Sequence, residues 1–223
     1  MIKIAGLDLS VTASGIVIET LDDDFNIKDI EVYSWTPTKQ WEQDHIPCLR
    51  STDFSDKYER NLYYIEYICS KLTDCTYVSV EDYAMHADGK VFDLAEFEGG
   101  VKMRLYAEGK ILRFYPPKSN KKFFSGNGNN NKLRMYDFGY KVWNEKKPDL
   151  STLPEVKRAD GVSPTSDIID AYALCEFLRF ELRLKNNKIA LTDLTKEQQE
   201  VFTAKTKEMP NGLLVKKFLQ KKK

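Results

Sequence analysis

Three short motifs of this chain carry acidic residues that a fold can bring together. The acids are Asp8 in GLDLSVTASGI, Glu81 in YVSVEDYA, and Asp167 with Asp170 in SDIIDAYAL. The first two follow apolar, β-rich runs, whereas the last two are spaced i, i+3 in a helical pattern and therefore share one helical face. A cluster of carboxylates is costly unless divalent cations hold it together. The pattern therefore predicts a site for two metal ions about 3.5–4 Å apart and the hydrolysis of a phosphodiester.

Each acid also has a simpler interpretation when it is taken alone. Asp8 is compatible with a turn, Glu81 with an exposed strand end, and the i, i+3 pair with a solvated helical face. The combination across three elements is more specific than any single member. Two neighbouring acids, Asp82 and Asp160, are left out of the predicted site. Asp82 directly follows Glu81 and is expected to point to the opposite face of a sheet.

The elements that must position these acids are strands and helices in a mixed order. Apolar alternation predicts three opening strands, antiparallel to one another, at 2–8, from Gly15, and at 27–35. Later patterns predict strands at 76–81 and 110–115 and helices at 55–73, 91–108, 132–145 and 164–184. This order favours an α/β fold with a five-stranded mixed sheet, in which parallel strands are added to three antiparallel ones and helices flank both faces.

The ends of the helices and two long connections can also be predicted. Ser55 is expected to cap the first helix, and Ser163 is expected to cap the last one with Pro164 at its first position. A short helix is expected after Thr195. Residues 36–54 and 118–131 are predicted to be loops, and the second of these is basic and rich in Gly and Asn.

Length and composition fit one domain with a tail. The chain has 223 residues, and its apolar fraction of 42% supports a core. No apolar run reaches membrane-spanning length, and MIKIAGLDLS begins as a strand rather than as a signal peptide, so we expect a cytoplasmic protein with no membrane partner. The four cysteines show no paired metal spacing, and Cys69, Cys75 and Cys175, which lie in apolar runs, are expected to be reduced core thiols.

The formal net charge is zero, but the charge is unevenly distributed. Between Lys110 and Lys147, ten basic residues face two acidic ones, a net charge of +8. Between Lys205 and Lys223, seven lysines face one glutamate, a net charge of +6. Such segments are either solvated faces or phosphate-binding surfaces. Because local charge matters more than the total for binding a nucleic acid backbone, a zero net charge does not exclude DNA as a partner.

The acidic motifs resemble those of the RuvC-type Holliday junction resolvases, in particular their phage relatives, which have an RNase H-like fold. GLDLSVTASG, SVEDYA and DIIDAYAL occur in the family's order, and KKFFSGNGNNNK resembles the family's basic loop. The resemblance covers most of residues 1–184. It implies a homodimeric, Mg²⁺-dependent endonuclease that resolves four-way and branched DNA and leaves 5′-phosphate and 3′-hydroxyl ends. Two Mg²⁺ ions per site are implied, with Mn²⁺ able to replace them.

The resemblance also implies roles for individual residues. The four acids become the catalytic metal ligands, and Tyr83 becomes the residue that stacks on bases at the junction centre. Lysines of the basic loop become contacts to DNA, namely Lys118, Lys121, Lys122 and Lys132. The implied nuclease domain spans residues 1–185, followed by a helical, Lys-rich extension over 186–223. The acidic segment Glu96–Gly100 departs from the family, whose bacterial members are more basic there.

Three alternatives remain open from the sequence. Another RNase H-like nuclease, acting on flaps or RNA–DNA hybrids, would use the same acids. DLSVTASG also resembles the phosphate-binding hairpin of actin- and sugar-kinase-like ATP-binding proteins, although that class needs two such domains. A non-catalytic DNA-binding protein could share the fold, but it would have no use for four intact acids.

Overall fold

The computed structural model describes residues 1–82, 91–144, 157–158, 161–162, 164–206 and 209–221. Its centre is a five-stranded sheet in the order β3-β2-β1-β4-β5. The strands are β1 (Ile2–Asp8), β2 (Gly15–Leu21), β3 (Ile27–Tyr33), β4 (Cys75–Glu81) and β5 (Ile111–Tyr115). β1, β2 and β3 are antiparallel, whereas β4 is parallel to β1 and β5 is parallel to β4. The predicted mixed sheet is therefore confirmed.

Helices cover both faces of the sheet, as predicted. One face packs against α1 (Lys57–Lys71) and α2 (Val91–Ala107). The other packs against α3 (Pro117–Ser125), α4 (Lys132–Asn144) and the long α5 (Thr165–Lys185), with α6 (Lys196–Thr203) beside α3. Two short strands, β6 (Lys157–Arg158) and β7 (Gly161–Val162), pair with each other ahead of α5.

Alternation along β1 divides the core into two layers. Ile4 belongs to the layer beneath α5, whereas Ala5 and Leu7 belong to the layer beneath α1 and α2. Gly6 and Asp8 share the α5 side with Ile4 because side chains alternate along a strand. The acid at the end of β1 is therefore directed to the layer that contains α5.

Two glycines allow α5 to lie directly on the sheet. A Cβ atom at Gly6 would overlap the carbonyl oxygen of Ala171 and lie 2.5 Å from the amide nitrogen of Cys175. A Cβ atom at Gly15 would overlap the carbonyl group of Asp167. Both obstacles are backbone atoms of α5, which cannot move aside like the end of a side chain. The depth at which α5 sits, and with it the position of Asp167, therefore depends on these two glycines.

Gly6→Ala is expected to lower the free energy of unfolding by about 3 kcal/mol, because the added methyl group forces α5 off the sheet. Urea unfolding followed by circular dichroism measures the change. Gly100→Ala in α2 is the matched control, since its methyl group would meet only the end of the Ile65 side chain and alanine favours a helix. Equal stability of Gly6→Ala and wild type would show that α5 does not depend on this close approach.

The prediction of a loop over residues 118–131 was wrong for its first half. Pro117 begins α3 as its first residue, and the helix ends at Ser125 and is capped by Gly126, which has a left-handed φ of 80°. Asn120, Phe123 and Phe124 form its buried face. The Gly- and Asn-rich second half of the segment hid this helical spacing. As a consequence, three of the lysines expected in a loop lie on a helix.

Two predicted helix ends also differ in detail. Asp56, not Ser55, caps α1, because its carboxylate accepts hydrogen bonds from the amides of Tyr58 and Glu59. Pro164 occupies the capping position of α5 rather than its first helical position, and Ser163 lies outside the described residues. The helix predicted after Thr195 is confirmed as α6, with the Thr195 hydroxyl accepting from the amide of Gln198.

The segment after α5 packs on the domain. Phe202 of α6 contacts the rings of Phe123 and Phe177. Leu219 pairs with Leu112 of β5 through two backbone hydrogen bonds of 2.8 and 3.0 Å. Because β5 is an edge strand, this pairing covers backbone groups that would otherwise be open to another chain. Within the described part of the chain, no helix combines the length and apolarity needed to cross a membrane.

Candidate active site

Asp8 and Glu81 lie side by side at the carboxyl ends of two parallel strands. Leu7 of β1 pairs with Val80 of β4, and each acid is the next residue of its strand. In β4, the hydroxyl group of Ser79 donates a 2.9 Å hydrogen bond to the carbonyl oxygen of Leu174 in α5. Glu81, two residues later, points to the same side. Both acids therefore face α5.

The first two turns of α5 bring the other two acids to the same end of the sheet. Asp8 pairs with Gly15 across β1 and β2, and the backbone of Gly15 touches the backbone of Asp167. Asp170 follows one turn later on the same helical face. Asp167 and Asp170 are only 5% and 9% exposed, so this is not a solvated face. The structure thus gathers the four acids from β1, β4 and α5.

The carboxylates perturb one another. Burial raises the pKa of Asp8 well above its usual range, and the charges of Asp170 and Glu81 raise it further. Burial, together with the charge of Asp170, raises the pKa of Glu81 to about 7. Burial and the charge of Asp167 raise the pKa of Asp170 to about 6. The fold therefore holds negative groups together against their repulsion, which is common at functional sites and unusual elsewhere.

Lys132 supplies positive charge within this cluster. It is the first residue of α4, and its Nζ lies 2.8 Å from Oδ1 of Asp167. Burial opposes the charge on the lysine, but the carboxylates of Asp8 and Asp167 outweigh this effect and raise the pKa of the ammonium group. In return, the charge of Lys132 lowers the pKa values of Asp8 and Asp170. The lysine expected to contact DNA is thus bonded to the acid cluster.

The three lysines of α3 point in two directions. The charge of Lys121 lowers the pKa values of Glu81 and Asp170, which places this lysine on the side of the acids. Lys118 and Lys122 line an open groove of about 400 Å³ between α3 and α6. Within it, Nζ of Lys122 lies 2.6 Å from a carboxylate oxygen of Glu200. Tyr83, the predicted stacking residue, lies outside the described residues.

One further acid beside the site, Glu98, was not predicted from the sequence. Glu98 of α2 is 8% exposed, and its charge raises the pKa of Glu81. A 2.9 Å ion pair joins it to Lys102 one helical turn later. The charge of Asp82 contributes to a raised pKa of Glu98. The i, i+4 spacing of Glu98 and Lys102 was a visible signal for the ion pair, but it gave no indication of the neighbouring site.

The four predicted ligands offer only carboxylate oxygens, which are the ligands that Mg²⁺ prefers. By its chemistry, this donor set suits hard divalent cations. Among the described residues, however, no three Asp, Glu, His or Cys side chains are grouped closely enough to hold an ion. The mutual pKa shifts of the acids are compatible with this spacing, because charges affect pKa values over longer distances than the roughly 2 Å of a metal–oxygen bond. In this structure the Lys132 ammonium is bonded to the cluster through Asp167.

The chain is similar to solved structures in its fold, but not to known families or curated proteins in its sequence. The sequence matches no protein-family model, and no curated protein matches it. Among solved structures, Thermus thermophilus RuvC in complex with Holliday junction substrate has a TM-score of 0.54 at 17% identity, covering 82% of this chain and 96% of that chain. A second structure of Thermus thermophilus RuvC has a TM-score of 0.51 at 13% identity, covering 83% and 96%.

The chain has the RuvC fold. The similarity covers nearly all of RuvC and most of this chain. It confirms the RNase H-like architecture that the acidic motifs implied. At 13% and 17% identity, this similarity shows the fold alone.

Proposed function

We propose that this protein is an endodeoxyribonuclease that resolves four-way and branched DNA junctions by metal-dependent hydrolysis. The observation that carries the proposal is the buried cluster of Asp8, Glu81, Asp167 and Asp170, flanked by Lys121 and Lys132. The fold adds support, because it is shared with a RuvC structure that contains Holliday junction substrate. Carboxylates with raised pKa values, flanked by lysines, suit a site that binds divalent cations beside a phosphate.

The residues of the site have complementary tasks. The four carboxylates would hold two Mg²⁺ ions, and Mn²⁺ is expected to replace them. When bound, these ions would activate water for in-line attack and stabilise the departing 3′ oxygen, leaving a 5′-phosphate and a 3′-hydroxyl end. Lys121 lies on the side of the acids and would hold the scissile phosphate there. Lys118 and Lys122 face the groove beside α6, where they would contact a neighbouring part of the DNA backbone.

Two symmetric nicks require two sites, so we expect a homodimer in which each copy cuts one strand of the junction. Tyr83 stays the predicted stacking residue at the junction centre.

A nuclease for flaps or RNA–DNA hybrids would have the same acids, so substrate shape must be tested directly. Labelled four-way, flap, Y-shaped, hybrid and linear substrates are incubated with Mg²⁺, with Asp8→Asn as the control. Preferential paired nicking of the four-way substrate supports the proposal, and a preference for flaps or hybrids would replace it with a different nuclease.

Lys121→Ala is expected to weaken junction binding and to reduce the slope of log K against log salt by about one, because one phosphate contact is lost. Fluorescence anisotropy with a catalytically inactive variant, measured from low to high salt, gives the slope. Lys28→Ala is the control, since this exposed lysine of β3 pairs with Asp22 far from the acids. An unchanged slope in Lys121→Ala would remove Lys121 from the phosphate contacts.

A further inference from the structure

We propose that Lys132 is a built-in counter-ion of the acid cluster, which stabilises the cluster without metal and competes with divalent cations for it. The proposal rests on the proposed function in one respect, because it takes the acids to be the metal ligands. It goes further by assigning to this lysine a role before DNA arrives. The expected phosphate contact becomes the second task of a side chain that first neutralises carboxylates.

The packing of α4 on α5 fixes the position of the Lys132 backbone. Gly139 of α4 lies so close to Ile169 of α5 that a Cβ atom there would overlap the isoleucine Cγ2. Met135, one turn after Lys132, is buried in the same core layer. The amide of Arg134 donates a 3.0 Å hydrogen bond to the side chain of Asn131, which holds the first turn of the helix. The ammonium group thus reaches Asp167 from a rigid base and not from a free loop.

The Lys132 ammonium neutralises the negative charge of the acid cluster only in part. The ammonium is bonded to Asp167 and also acts on Asp8 and Asp170. Together with Lys121, which acts on Glu81 and Asp170, two lysine charges therefore face four carboxylates. Among the described residues the carboxylates outnumber these two cations, so a divalent cation remains attracted to the cluster. The same cation is repelled by the ammonium, which also occupies an oxygen of Asp167 that a metal would use.

Lys132 also has a way to leave. Its side chain is 42% exposed, whereas that of Asp167 is 7% exposed. The lysine can therefore swing outward while the carboxylate stays in place. An ammonium displaced in this way would lie at the open rim of the site, beside the position proposed for the scissile phosphate. Exchange of the ammonium for metal would thus couple metal loading to phosphate binding.

The test is calorimetric titration of Mn²⁺ into the DNA-free protein, with thermal unfolding in EDTA and in Mn²⁺. Lys132→Met keeps the length of the side chain and removes its charge. We expect Mn²⁺ to bind this variant about tenfold more tightly than wild type, because repulsion and competition are lost. In EDTA its melting temperature should fall below that of wild type, and Mn²⁺ should raise it by more. Lys188→Met is the matched control, since it removes an equal charge whose partner, Asp24, lies outside the cluster.

The outcomes separate this proposal from the proposed function. Unchanged or weaker Mn²⁺ binding by Lys132→Met, with binding still lost in Asp8→Asn, would overturn the counter-ion role and leave the nuclease proposal standing. Absence of any Asp8-dependent Mn²⁺ binding would overturn both. If Lys132→Met does not fold in EDTA, Lys132→Met combined with Asp167→Asn removes both charges of the pair and should recover folding. Failure of this double variant to recover folding would attribute the defect to packing and contradict the proposal.

Discussion

Replacing Asp170 by Asn is expected to abolish cleavage of a four-way junction, with a fall in rate of at least about 10³-fold, because a proposed metal ligand is lost. Junction binding should stay within a few-fold of wild type, since the lysines that would hold the DNA are unchanged. Gel assays of cleavage with Mg²⁺ and of binding with Ca²⁺ measure the two effects. Asp29→Asn on the exposed part of β3 is the control and should cut normally. Full activity of Asp170→Asn would contradict the site.

The same substitution is expected to make the metal-free protein more stable. Asp170 titrates at a pKa of about 6 in the folded chain, above the ordinary 3.8, chiefly because of burial. Its charged form therefore opposes folding, and the penalty is absent below about pH 4 and fully present above about pH 6. Asp170→Asn should gain about 1–3 kcal/mol at pH 8 in EDTA and much less at pH 4. If Asp170→Asn were less stable than wild type at pH 8, the Asp170 carboxylate would stabilise the fold, which would contradict this prediction.

The second large effect is expected at a buried ion pair far from the acids. Glu181 of α5 accepts hydrogen bonds from Nε of Arg113, at 2.8 Å, and from the hydroxyl of Tyr115, at 2.7 Å. Both charged side chains are almost fully buried. Arg113 also donates to the carbonyl oxygens of Lys216, at 2.9 Å, and Lys217, at 3.3 Å. One ion pair thus joins β5, α5 and the C-terminal segment.

Glu181→Gln should lower the free energy of unfolding by about 3–5 kcal/mol, because it leaves a buried guanidinium group without its counter-charge. Limited proteolysis should then cut within residues 213–219 under conditions in which wild type resists. Glu66→Gln is the control, since the exposed ion pair between Glu66 and Arg104 is worth at most about 1 kcal/mol. A loss similar to that of the control would show that the C-terminal segment does not depend on this pair.

The sequence was sufficient for the parts of the site that depend on local periodicity. Period-two alternation placed Asp8 and Glu81 at strand ends, and i, i+3 spacing placed Asp167 and Asp170 on one helical face. The family resemblance supplied the order of elements, and the predicted five-stranded mixed sheet is confirmed. The first half of the basic loop was predicted wrongly, because Gly and Asn after residue 125 concealed the helical spacing of Asn120, Phe123 and Phe124.

Ion pairs between distant residues could not be predicted. Lys132 meets Asp167 only because α4 packs closely on α5 at Gly139 and Ile169, which nothing near the lysine indicates. Arg113 and Glu181 are likewise separated by 68 residues and meet only once β5 and α5 share a core layer. Local sequence thus determined which residues share a face, and tertiary packing determined which charges meet.

The most direct test of the central claim is to map the nicks made in a labelled four-way junction by wild type and Asp170→Asn, with Mg²⁺ or EDTA. Wild type with Mg²⁺ should make paired nicks at symmetric positions on opposing strands, and the products should be resealed by DNA ligase without further treatment, as 5′-phosphate and 3′-hydroxyl ends require. Asp170→Asn and the EDTA reaction should leave the junction intact. Equal cutting by Asp170→Asn, or cutting of linear duplex as fast as of the junction, would contradict the account.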